Sequence, residues 1–158
     1  MSGRITPCLW FATDLEEVIA YYSGIFPDAR PLQSQSAPEG TPGGGGGTLV
    51  AELELGGQRL MLLAGRPDIP FTEAVSLVVD AETQQDIDRL WDALTADGGE
   101  PGQCGWLKDR YGLSWQVVPP RLPQLLADPD PAVAGRVMQA MLQMTKIDLA
   151  AVEAAARG

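Results

Sequence analysis

A chain of 158 residues, 45% of them hydrophobic, suits a single soluble domain with a real core, or two small modules sharing one. With 21 acidic against 11 basic residues its formal charge is -10, so nucleic acid is excluded as a partner because a polyanion would be repelled rather than steered in. It has no histidine, which removes Ser/His/Asp and Cys/His mechanisms and the commonest zinc ligand together.

The acids are scattered (Glu16, Glu17, Asp86, Asp88, Asp92) and fall on the polar sides of expected helices, as on a solvated acidic surface, with a cationic small ligand left open. The longest apolar run, Leu49 to Gly65, is interrupted by charges and glycine and is too short to cross a bilayer, and no basic and apolar leader opens the chain. A cytoplasmic protein without a membrane partner is expected. Cys8 and Cys104, far apart and both expected inside sheet, read as small buried hydrophobes in a reducing compartment.

In chain order, Ile5 to Ala12 is a strand candidate. Thr13-x-x-Glu16 follows as a capping-box pattern, then a helix with apolar Leu15, Val18, Ile19 and Tyr22 on one side. Strands are expected over Ala29 to Ser36 and Thr48 to Leu55, then over Gln58 to Leu63 across a Gly56-Gly57 turn. The intervening Ala37 to Gly47 (APEGTPGGGGG) reads as an inserted flexible loop; it lacks the Gly-Lys-Ser/Thr ending of a phosphate loop.

The same grammar then repeats. Val75 to Ala81 leads to Thr83-x-x-Asp86 and a helix with Ile87, Leu90, Trp91 and Leu94, ended by Gly98-Gly99. Short strands are expected over Glu100 to Gln103, Gly105 to Lys108 and Leu113 to Val118, the last two joined through Gly112. Asp130 as N-cap and Pro131 at the first helical position start a helix with Val133, Val137, Met138, Met141 and Leu142 on one side, packed on the sheet or on a second subunit. A last short helix starts at Asp148.

The paired modules, with AELELGGQRLMLL, CGWLKDRYGLSWQVVPP and the MLQMTKID tail, resemble the vicinal oxygen chelate superfamily of glyoxalases, bleomycin-resistance proteins and dioxygenases. Within it the likeness is to the PhnB-like branch, also labelled 3-demethylubiquinone-9 3-methyltransferase-like. The resemblance implies an α+β fold: two tandem βαβββ modules forming a curved eight-stranded mixed sheet around one cavity, with C-terminal helices. Residues 1–120 would form one domain (modules about 4–65 and 74–119), residues 121–158 a helical extension, and the whole a homodimer.

It also implies metal-ligand positions on four strands, which fall here near Pro7, Met61, Ala74 or Ser76, and Gln116. Only Gln116 binds a divalent metal well, and one neutral amide does not make a site. No catalytic metal and no cofactor are therefore expected.

Period-two alternation places Leu113, Trp115 and Val117 toward a helix-covered core and Ser114, Gln116 and Val118 toward the cavity. Gln116 is either a ligand contact or a buried amide satisfied by its neighbours. Trp106 offers a flat apolar wall, with core packing as its plainer use. Lys108 and Arg110 are placed at an exposed hairpin tip, with anion capture as the bolder reading. Met61 and Pro7 line the cavity with Glu52, if the face bearing Glu52 and Glu54 is the inner one. The leading functional reading is a metal-free binding protein for a small molecule. The alternative is a metal-independent enzyme using Glu52, Glu54 or Asp109 as base, and an assembly protein that uses the fold only to dimerise is a third. Methyl transfer is disfavoured, because no Gly-rich turn stands at a strand-helix junction to hold an adenosyl donor.

Overall fold

Alternating apolar residues after each first helix, where a second helix would need a 3.6-residue spacing, direct both halves of the chain into βαβββ modules. The computed structural model describes residues 3–36, 47–65 and 68–158 and divides into two units, Met1–Pro70 and Phe71–Gly158. The Gly-rich segment 37–46 lies outside the described residues.

The first unit comprises β1 (Cys8–Phe11), α1 (Leu15–Ile25), β2 (Arg30–Ser36), β3 (Thr48–Leu55) and β4 (Gln58–Ala64). Its sheet runs β1-β4-β3-β2, with β1 parallel to β4 and the other pairs antiparallel. Leu9, Phe11, Ala51, Leu53, Leu55, Leu60 and Leu62 form the buried face, together with Leu15, Val18, Tyr22 and Ile25 of α1. Burial of each large aliphatic side chain contributes about 1.5–3 kcal/mol. Gly56 and Gly57 turn at φ +54° and +77°, the pair of positive angles that a two-residue hairpin compatible with strand twist requires. The N-cap of α1 is Asp14 rather than Thr13: its carboxylate accepts from Glu16 N at 3.0 Å, while the Thr13 hydroxyl donates to Glu17.

The second unit repeats the topology as β5 (Ser76–Asp80), α2 (Gln84–Thr95), β6 (Glu100–Pro101), β7 (Trp106–Lys108) and β8 (Ser114–Val118), in the order β5-β8-β7-β6 with β5 parallel to β8. Thr83 is the N-cap as predicted, but only half of the capping box forms: Asp86 meets the Thr83 hydroxyl, not its backbone N–H. Thr83 Oγ1 accepts from Asp86 N at 3.1 Å and donates to its carboxylate at 2.6 Å. Ile87, Leu90, Trp91 and Leu94 are buried, as are Leu107, Trp115 and Val117 of the sheet and Leu113 just before β8. The chain leaves α2 through one 3-10 turn in which Asp97 already has φ +53°, so the left-handed exit begins one residue before Gly98.

Three helices complete this unit: α3 (Arg121–Leu126), α4 (Pro131–Met141) and α5 (Leu149–Arg157). The sequence reading missed α3, because its prolines look like breakers; Pro120 and Pro123 fall at the N-cap and in the first turn, where no intrahelical N–H is lost. Helix α4 starts on Asp130 and Pro131 as expected, but only Val137 of its apolar side is buried, and Met138 and Leu142 are 40% and 50% exposed. The segment before α5 is bonded to the turn that precedes β7: Cys104 N donates to Met144 O at 2.8 Å and Gly105 N to Thr145 O at 2.7 Å. Gln84 ties the same segment to α2, accepting from Leu149 N at 2.9 Å and donating to Ile147 O at 3.1 Å.

Neither cysteine is a buried sheet hydrophobe. Cys8 is exposed on β1, and half-buried Cys104 sits in a turn at φ +56°, outside the strands. Among the described residues no helix is long and apolar enough to cross a membrane.

Candidate functional site

In-register neighbours in a sheet share a face, so the pairings show what the second module presents away from α2. One row runs Ser76, Ser114, Lys108, Glu100 across β5, β8, β7 and β6; the next runs Val78, Gln116, Trp106. Exposure agrees with the alternation: Trp115 and Val117 are buried, while Gln116 and Val118 are half-buried. Ser114 differs from its row-mates in being only 1% exposed, and its hydroxyl has no hydrogen-bond partner among the described residues.

A cavity of about 470 Å³ lies on this face, lined by Glu73, Glu100, Gln103, Trp106, Lys108 and Ser114 among others. Lys108 Nζ is 2.8 Å from the Glu73 carboxylate. That hydrogen bond and its charge hold Lys108 above the ordinary lysine range, Glu100 adding a smaller push, and Lys108 in turn holds Glu73 below the usual carboxylate range. A lysine so held is a cation and not a base, so it cannot activate Ser114 as a nucleophile.

Gln116 donates from Nε2 to Ser76 Oγ at 2.9 Å, joining β8 to β5. Ala74, the other candidate for the β5 position, is exposed and lies outside the strand. Lys108 belongs to β7 and is half-buried, while Arg110 pairs with Asp97. Asp109 is 1% exposed and accepts from Tyr111 N, Leu113 N and Trp115 Nε1 at 2.9, 3.1 and 2.8 Å; these bonds close the hairpin and occupy the carboxylate.

In the first module Met61 stands opposite Cys8 on one side and Glu52 on the other, on the face away from α1. Pro7 is exposed and precedes β1, and its contribution there is a backbone carbonyl that accepts from Met61 N at 2.9 Å. Glu52 faces Arg59 at 3.6 Å, and Glu54 pairs with Arg30. Both carboxylates therefore have cationic partners on neighbouring strands.

The positions for which the resemblance implies metal ligands can be compared with these side chains, module by module. In the first module the position holds the thioether of Met61; in the second, the amide of Gln116 and the hydroxyl of Ser76 are already bonded to each other. Among the described residues no group of three His, Cys, Asp or Glu side chains is placed to hold a metal ion. Neither module's own donors fit a divalent metal centre, which needs several O or N ligands. Glu73, Glu100 and Gln103 were not singled out from the sequence: Glu73 lies outside any strand, and a two-residue β6 has no readable alternation.

The two βαβββ sheets, each with its first and last strands parallel, define the vicinal oxygen chelate fold, and solved structures share it. A PhnB protein from Bacillus cereus, described as a 3-demethylubiquinone-9 3-methyltransferase, is 30% identical over 73% of this chain and 98% of its own, with a TM-score of 0.66. Protein PA1353 from Pseudomonas aeruginosa is 22% identical over 73% of this chain and 96% of its own (TM-score 0.59). The fosfomycin resistance protein FosX from Listeria monocytogenes, in a complex with Mn(II) and sulfate, is 15% identical over 74% of this chain and 91% of its own (TM-score 0.52). No curated protein matches significantly. The model of the 3-demethylubiquinone-9 3-methyltransferase family matches residues 3–118, and the chain belongs to that family.

Proposed function

We propose that the protein binds a small organic molecule without a metal, on the face of the second module that carries Trp106, Lys108, Ser114 and Gln116. The observation that supports this reading is chemical: at positions where the resemblance implies metal ligands, the amide of Gln116 is bonded to the hydroxyl of Ser76, and Met61 supplies only a thioether. The 470 Å³ cavity, walled partly by Trp106, has the size of a small-molecule site. Met61, Glu52 and the Pro7 carbonyl are the corresponding candidates in the first module.

The enzymatic alternative has less support, since Glu54 and Asp109 are held by Arg30 and by three donors, and Glu52, whose buried Oε2 makes no hydrogen bond among the described residues, faces Arg59 at 3.6 Å. Methyl transfer gains no support from the family's name. The turns joining β1 to α1 and β5 to α2 contain no glycine, so an adenosyl donor lacks its usual close backbone approach. The expected cytoplasmic homodimer belongs to the same proposal, and sedimentation measures its subunit count.

A thermal-shift panel of metabolites and divalent metals, run with elemental analysis of protein purified without added metal, tests the reading. Stabilisation by an organic compound is expected. Stoichiometric zinc, nickel, iron or manganese overturns it.

A further inference from the structure

The cavity of the second module carries an inference that rests on the binding reading and narrows it. We propose that the ligand is a small carboxylate with a flat apolar body, held by the Lys108 ammonium and the Ser114 hydroxyl in the place now taken by the Glu73 side chain.

Ser114 is the first ground. A hydroxyl on a residue only 1% exposed, without a partner, is unfavourable unless an acceptor reaches it, and it stands directly opposite Lys108 in the β7–β8 register. Two donors thus line one cavity from opposite positions on neighbouring strands. Trp106 lies two residues from Lys108 on the same face of β7, so a flat body attached to the carboxylate would rest on its indole.

The ion pair decides the sign of the ligand. Glu73 reaches the cavity from outside any strand, with its side chain 71% exposed, whereas Lys108 is fixed on β7 and 38% exposed. The acid is therefore the exchangeable partner. Exposed pairs of this kind are weak, so a second carboxylate can replace Glu73 at small cost. A cationic ligand would instead bring a like charge up to Lys108, the partner built into the sheet, with only Glu100 opposite it to compensate. Glu100, opposite Lys108 on β6, remains as a counter-charge when Glu73 leaves and keeps the lysine protonated.

The test is an NMR titration of the whole protein with benzoate and, in parallel, with benzylammonium, following the Trp106 indole N–H and the Ser114 amide. Benzoate is expected to shift both signals. Glu73→Gln should tighten benzoate about two- to fivefold by removing the competitor, and Lys108→Met should weaken it by about the same factor or more. The proposal is overturned if benzoate leaves Trp106 unmoved, if benzylammonium binds instead, or if Glu73→Gln weakens benzoate. Should Lys108→Met fail to fold, the sign of the Glu73→Gln effect alone decides. Failure of benzoate alongside a metabolite hit in the thermal-shift panel sinks this inference and leaves the binding reading standing; stoichiometric metal sinks that reading itself.

Discussion

Replacing Asp109 by alanine removes the acceptor that closes the β7–β8 hairpin. Its carboxylate receives Tyr111 N, Leu113 N and Trp115 Nε1 within 3.1 Å, and Leu113 and Trp115 are 1% and 3% exposed, so their donors have no ready access to water. Each buried donor left unsatisfied costs about 1–3 kcal/mol. Tyr111 is only half-buried, and its amide can recover a water. The sum for Asp109→Ala is about 3–5 kcal/mol, a large share of the roughly 5–15 kcal/mol by which domains are stable. Asp109→Asn keeps the shape and one acceptor oxygen but turns an NH₂ toward a donor, so about 1–3 kcal/mol is expected. Urea unfolding followed by tryptophan fluorescence, with an unchanged m-value, measures both. A loss below about 1 kcal/mol for the alanine variant would refute the role given to the carboxylate. An intact fold in that variant would also reopen Asp109 as a chemical group.

Gly105→Ala should destabilise by more than about 2 kcal/mol, because Gly105 has φ +83° and a Cβ would lie 2.9 Å from Val117 O and 3.1 Å from Ile147; a thermal melt reads it. Gln116→Leu removes one half-buried hydrogen bond to Ser76 and should cost no more than about 1.5 kcal/mol; elemental analysis should show no change in metal content. The Lys146–Asp88 pair, at 2.8 Å, should make the anchoring of α5 pH-dependent. Asp88 is held low, first by its hydrogen bond from Lys146 and then by Gln84, so its contribution is full above the ordinary value of 3.8 and is lost as pH falls through the folded value. Lys146 is held high by Asp88, so its contribution is full below 10.5 and is lost as pH rises through the folded value. Amide exchange at Val152 should be most protected between those limits, and a flat profile would remove the pair from the account.

The modules were legible because their signals are local and agree. The helix spacing of Ile87, Leu90, Trp91 and Leu94, the Thr83 cap and the Gly56-Gly57 turn each specify one structure on their own. The face of β8 was legible for the same reason, since alternation at Trp115 and Val117 fixes which way Gln116 points. The cavity was less so. Its Lys108–Glu73 pair spans 35 positions, and no periodicity links a residue outside the strands to one on β7. Cys104 was misread because it falls between two stretches expected as strand, whereas its φ of +56° makes it a turn residue whose amide is held by a carbonyl of the distant tail.

That tail bears on the order in which a nascent chain can fold. Cys104 and Gly105 each donate to a residue 40 positions downstream (144 − 104 and 145 − 105), and buried Ile147 follows directly. During synthesis the first module has all its strands once residue 64 has been made. The second has its eighth strand by residue 118, but the amides just before β7 stay without these acceptors until residue 145 emerges. For that interval the turn leading into the hairpin that bears Trp106 and Lys108 is incomplete on the ribosome, without the segment that ends in Ile147.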